Sequence, residues 1–188
     1  MWGRERLLNW RSSARLLILL AAAGLTAGCF EPLYKSHPSA DGEGVQDKFA
    51  AVEITPITAR KGSPDERVAV AIYNALSYNL HNGGKGGPPT YRLTVNVSSS
   101  QFTAVIDPNS GRPNAAVEGI TTHFQLIEIA TDKVVLTDNT TSSTDYDIPG
   151  PQQRFAAQRA QRDAEDRAVV VAAEAIRNRL ASYFVAGT

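Results

Sequence analysis

One thiol, placed directly after an apolar run, limits this chain more than any other feature. Leu16 to Leu25 (LLILLAAAGL) carries no charge, Ala27 and Gly28 follow shortly, and Cys29 is the single cysteine among 188 residues. The apolar stretch reaches Ala27, about 12 residues in all, whereas a bilayer-spanning helix needs roughly 20. Ahead of it stand Arg4, Arg6, Arg11 and Arg15 against one acid, Glu5. A basic leader, a short apolar segment and small residues before a boundary are the marks of a secretory signal peptide. Residues 1–28 are therefore expected to be removed. A lone cysteine closes no internal disulfide, so the rest of the chain must fold without a staple.

The boundary Leu25-Thr26-Ala27-Gly28-Cys29 resembles a bacterial lipobox, with Thr26 where such motifs usually carry Leu. The resemblance implies cleavage before Cys29 and diacylglycerol on its sulfur, with no other cofactor. The alternative is an ordinary signal cleavage site beside a free thiol, which an exported protein has little reason to expose. Phe30 follows instead of Asp, which resembles a cargo sorted to the outer membrane. Two or three acyl chains anchor stably where one would be marginal. The whole chain carries 19 basic and 19 acidic residues, but the 160 residues from Cys29 onward have a net charge of −3. That lacks the basic surplus of a nucleic-acid binder, so no nucleic-acid partner is expected.

Three segments follow: a signal peptide over 1–28, a lipidated N-terminus and tether over 29–49, and one domain over 50–188. The tether reading rests on FEPLYKSHPSADGEGVQDK (residues 30–48), rich in Pro, Gly, Ser and acids without periodicity. A strand is expected from Ala51 to Ile57. Ser63-Pro64-Asp65-Glu66 combines an N-cap serine, proline at the first helical position and a glutamate three residues after the cap. Val68, Ile72, Ala75, Leu76 and Leu80 continue at helical spacing to Asn82-Gly83-Gly84, which predicts a helix over about 64–82. Tyr91, Leu93, Val95 and Val97 alternate with polar residues in a strand running to Ile106. The turn cluster from Asp107 to Pro113 leads to a strand over about 116–129, and a short hairpin at 130–133 leads to its Thr/Ser-rich return.

The last helix is expected from about Gln152 to Tyr183, with a stripe of Ala156, Ala160, Ala164, Ala168, Val171, Ala172, Ile176 and Leu180. Its outer face offers three pairs at helical spacing: Arg159–Asp163, Arg162–Asp166 and Asp163–Arg167. The order strand, helix, three strands, helix implies an α+β fold. Two helices pack on one face of a four-stranded mixed, mostly antiparallel sheet.

The catalytic inventory is thin. His37, His81 and His123 fall in the tether, at a helix end and on a strand, with no ligand spacing and no nucleophile elbow. With one cysteine, they do not make up a Cys/His zinc site either. Gly83-Gly84-Lys85-Gly86-Gly87 follows a helix and leads into a strand, the reverse of a phosphate loop. Asp163, Glu165 and Asp166 are interleaved with arginines and are read as surface ion pairs, not a metal site. No catalytic and no metal-binding residue is proposed, and no enzyme is expected.

Two stretches carry a family resemblance. Cys29 is followed by Phe30-Glu31-Pro32-Leu33-Tyr34, and the last helix reads Arg154-Phe155-Ala156, Arg159-Ala160, Arg162-Asp163-Ala164-Glu165-Asp166-Arg167-Ala168, then Ala173-Glu174, Ile176-Arg177 and Arg179-Leu180. Together with the element order, these resemble the LPS-assembly lipoprotein family (LptE), in its alphaproteobacterial branch. The resemblance implies a non-enzymatic, lipid-anchored, periplasm-facing protein of the outer membrane. Its expected partners are the β-barrel translocon of lipopolysaccharide (LptD-type), which such a protein plugs and helps to assemble, and lipopolysaccharide itself. The Thr/Ser-rich strand at Thr137–Thr144 would supply polar surface to a wet barrel lumen. Lipid A phosphates need cations, and Arg60, Lys61, Arg92, Arg112 and Lys133 are the candidates on loops or strand faces. An auxiliary lipoprotein of a phospholipid or solute ABC transporter would share the export signal and the lack of catalytic groups.

Replacing the thiol tests the anchor directly. Cys29→Ala is expected to abolish metabolic labelling with a radioactive fatty acid and to shift the chain from the membrane to the soluble fraction.

Overall fold

The computed structural model describes residues 44–59, 61–150 and 152–186. Cys29, residues 1–28 read as a signal peptide, and Arg60 lie outside the described residues. The elements are α1 (Val45–Ala50), β1 (Val52–Ile54), α2 (Pro64–His81), β2 (Tyr91–Ile106), β3 (Pro113–Glu128), β4 (Lys133–Asp147) and α3 (Arg154–Ala186). The sheet order is β1-β2-β3-β4, with β1 parallel to β2 and the remaining pairs antiparallel. This is the α+β fold expected, with one further short helix.

Period-two alternation builds the sheet. Leu93, Val95 and Val97 of β2 register opposite Leu126, Phe124 and Thr122 of β3, and Leu126 lies opposite Leu136 of β4. These residues share the inner face, since side chains two apart along a strand point the same way. Both long helices cover that face. Val68, Ile72, Leu76 and Leu80 of α2 and Ala168, Ala172, Ile176 and Leu180 of α3 join the strand residues in one core.

Three local details differ from the sequence pattern for physical reasons. β1 has three paired residues instead of seven; Thr55 still donates its N–H to the Leu93 carbonyl, but Pro56 has no N–H to continue the ladder. α2 ends where expected, at Asn82, whose φ of 51° is left-handed. Its start differs in detail: the Ser63 side chain makes no cap bond, and the Glu66 carboxylate accepts from the Gly62 N–H at 2.8 Å. The stripe on α3 also rotates. Val171 is 53% exposed and Ala156 is exposed, while Val169, Ala173 and Ala181 are buried in their place.

Of the three helical pairs, the structure forms Asp163–Arg167, at 2.9 Å. It places the acid N-terminal to the base, the favoured order along a helix. Asp166 turns instead to Arg67 of α2, at 3.0 Å.

The last residues of the segment read as a tether form α1. Its six residues are too few for a helical period to show in sequence. The Asp47 carboxylate accepts from the Gly44 N–H at 3.1 Å, and Phe49 is fully buried. Phe49 stands edge-on to Phe184, with centroids 5.9 Å apart, and the Arg177 guanidinium lies over the Phe49 ring, 5.7 Å from its centroid. Truncating a buried aromatic leaves a cavity that the neighbours fill only in part. Phe49→Ala is therefore expected to lower the unfolding free energy by about 3–5 kcal/mol in urea titrations, against a near-neutral effect if residues up to 49 were only a linker.

Candidate functional site

The two faces of the sheet have opposite chemistry. On the face turned away from the helices, β2 presents Thr94, Asn96, Ser98 and Ser100, β3 presents Gln125, His123 and Thr121, and β4 presents Thr137, Asn139, Thr141 and Ser143. The Thr121 and Thr141 hydroxyls lie 3.4 Å apart across the strands. Hydroxyls and amides each donate and accept, so this surface can bond to a hydrated protein wall in many registers. Gly119 makes room for its cross-strand neighbour: a β-carbon there would stand 3.0 Å from the Ser100 hydroxyl.

The end of the sheet at the β2–β3 turn has a different character. Phe102, Val105 and Ile106 are 62%, 50% and 58% exposed, and Phe155 at the start of α3 is 83% exposed. The chain brings these regions to one end, because Ile148 donates to the Asn114 carbonyl just before α3 begins. A cleft of about 330 Å³ beside Phe155 is lined by Ala156, Gln158, Arg159 and Arg162. The turn is rigid: Asp107 accepts from the N–H groups of Asn109 and Ser110, at 2.7 and 3.3 Å. Those bonds hold its carboxyl below the ordinary value. Gly111 takes φ +65° to close the turn. An apolar patch beside arginines is suited to an anionic amphiphile.

The cations singled out in the sequence do not converge. Arg112 lies by the β2–β3 turn. Arg92 pairs with Glu53 at 3.5 Å, and Lys133 starts β4; both are at the opposite end of the sheet. Some fourteen residues of strand put that end roughly 45 Å from Arg112. Lys61 is exposed just before α2. The apolar partners Phe102, Val105, Ile106 and Phe155 escaped sequence reading. Phe102 follows Ser100 on the face that no helix covers, and alternation alone cannot show where along β2 the cover of the inner face ends.

Between this end and the main core lies a buried polar cluster. Glu118 of β3 and Glu165 of α3 are 3% and 5% exposed, so the reading of Glu165 as a surface ion pair is corrected. Arg67 of α2 pairs with Glu165 and reaches Asp166. Gln101 of β2 hydrogen-bonds the Tyr146 hydroxyl of β4. Burial pushes the Glu118 carboxyl above the usual carboxylate range, against a hydrogen bond from Gln161 and the Arg67 charge, and one of its oxygens has no partner. Burial also raises the Tyr146 phenol, and the Glu118 charge adds to that. Among the described residues no group of three His, Cys, Asp or Glu side chains is placed to hold a metal. No described helix is long and apolar enough to cross a membrane.

Comparison with known proteins gives the class first. A putative lipoprotein from Caulobacter crescentus has a similar structure, with a TM-score of 0.57 and 22% identity over 75% of this chain and 96% of that one. The rare lipoprotein B from Shewanella oneidensis superposes with a TM-score of 0.51 and 14% identity, covering 71% of this chain and 96% of its own. At these identities the likeness establishes a shared fold. No curated protein matches the chain. The lipopolysaccharide-assembly profile LptE matches residues 49–180, well over half of the sequence. The chain belongs to the LptE family.

Glu118 makes a testable contribution to stability. A carboxyl whose value is raised on folding binds its proton more tightly when folded. Stability then falls as the pH rises from about 4.3, the ordinary glutamate value, through the raised one. Glu118→Gln is expected to melt above the wild type at neutral pH, and the two melting temperatures should converge as the pH is lowered toward 4.

Proposed function

We propose that this chain is a periplasm-facing outer-membrane lipoprotein of the lipopolysaccharide transport machinery, held to the membrane by acyl chains on Cys29. In this reading it plugs and helps assemble the translocon β-barrel (LptD-type) and assists insertion of lipopolysaccharide at the cell surface. The observation that carries the reading is the uncovered polar face of the sheet, in a member of the LptE family. A sheet face left uncovered in a soluble domain is normally wet or occupied by a partner. Here it is lined mainly by hydroxyl and amide donors and acceptors, with charges toward its two ends at Arg92 and Asp145, which suits a hydrated lumen. The role asks for no catalytic group.

Lipopolysaccharide is the second partner proposed. Acyl chains and phosphates together call for apolar side chains beside cations. Phe102, Ile106 and Phe155, with Arg112, Arg159 and Arg162, offer both at one end of the sheet. Arg112 is the candidate cation from the sequence that sits with exposed apolar side chains.

Photoreactive residues at Ser98, Thr121 and Thr141 are expected to crosslink to one large barrel in the outer membrane. Depletion of the protein is expected to reduce both surface lipopolysaccharide and mature barrel. Normal levels of both on depletion would overturn the proposal. Recovery with an ABC-transporter complex and without the barrel would favour the auxiliary-lipoprotein reading instead.

A further inference from the structure

The two halves of α3 are held to the sheet by different means. From Ala168 to Phe184 the helix sits on the main core, where Ala168, Ala172, Ala173, Ile176 and Leu180 are all fully buried. Its first turns rest on a second, much smaller cluster of Ala116, Tyr146 and Ala164, with Ile148 and Ala160 partly buried against it. Ser142 marks the junction: its buried hydroxyl donates to the Ala168 carbonyl at 2.8 Å and ties the middle of the helix to β4. Beyond that point, three alanines and two larger side chains bury little area, and local stability follows buried apolar area.

What lies under this weakly held half is the acidic cluster. Glu118 projects from β3 between Gln101 of β2 and Thr144 of β4, on the face that α3 covers. From α3 it meets Gln161, which bonds its carboxyl, and Glu165 is buried on the same helix. From α2 the single guanidinium of Arg67 serves Glu118 by its field and Glu165 and Asp166 by contact. The phenol of Tyr146 faces Glu118 from β4. Two buried carboxylates therefore share one cation, and one Glu118 oxygen is unpaired. A buried, incompletely paired charge is costly until it takes a proton or returns to water.

We propose that Glu118 is a proton-operated latch on the N-terminal half of α3, closing Arg154–Asp166 onto the sheet when neutral and releasing it when ionised. The hinge is the Ser142–Ala168 bond. Release from the sheet hydrates Glu118, while the ion pairs of Arg67 with Glu165 and Asp166 keep the moving turns tethered to α2. It also moves Phe155, Arg159 and Arg162 relative to the β2–β3 turn, so the apolar end of the molecule has two arrangements set by pH. The mechanism concerns the isolated domain and stands apart from the identity of any partner.

Amide hydrogen exchange of the full chain, corrected for the intrinsic pH dependence of exchange, reads the latch directly. Protection of residues 155–166 is expected to fall severalfold as the pH rises from about 4.3, the ordinary glutamate value, to neutral, while residues 170–182 hold theirs. Glu118→Gln should remove that pH dependence, and Arg67→Gln should enlarge it, because the cation that moderates Glu118 is gone. A purely structural role would lower protection in both variants without altering its slope against pH. If Glu118→Gln does not fold, isotope-edited infrared of the wild type serves instead. The protonated carboxyl band must then disappear in step with the rise in exchange. Protection of 155–166 that stays flat across this range, or a slope unchanged in Glu118→Gln, would overturn the proposal.

Discussion

Close contact between α3 and the sheet is the constraint on which the rest of the structure depends. Ala164, Ala168, Ala172, Ala173 and Ala181 are all fully buried, so the helix can lie near the strands without large side chains to hold it off. Larger residues take over where depth allows, at Ile176, Leu180 and Phe184. Dense packing of this kind is intolerant of added volume, since interiors are filled to near crystal density. Placing α3 also places α2, because the two helices share the same face and meet through Arg67 and its acids.

Covering one face leaves the other to a different task. The uncovered face is built of short hydroxyl and amide side chains, and β2 and β3 extend beyond the helices into an apolar end. The fold thus separates three surfaces: a core side, a polar sheet side and an amphiphilic end. The role proposed above, a lipid-handling protein inside a polar partner, needs that separation, since acyl chains and a wet wall cannot be served by the same residues. The acidic cluster sits where the main core stops, under the part of α3 that borders the amphiphilic end.

Much of this was legible in the sequence. The alternation in β2 and β3, the Ser63–Glu66 helix start, the Asn82 stop and the alanine-rich last helix each report a local period or a local cap. What stayed hidden depends on contacts remote along the chain. Phe49 looked like linker because α1 is a single short turn and a half; its burial comes from Phe184 and Arg177. Glu165 looked like one more surface charge among arginines, yet the rotation of α3 turns it inward. The candidate cations could be enumerated but not grouped, since Arg92 begins β2 and Arg112 lies just before β3, at opposite ends of that strand pair.

The sequence by itself determined the lone thiol behind its apolar run, the fold class and the polar character of the return strand. Each is a property of residue order over a few turns or a few strand pairs. Only the tertiary structure decided which acids are buried, where the helices stop covering the sheet and which apolar side chains are left in water. Those outcomes depend on how far one element reaches over another, a distance fixed by packing in three dimensions and absent from any local pattern.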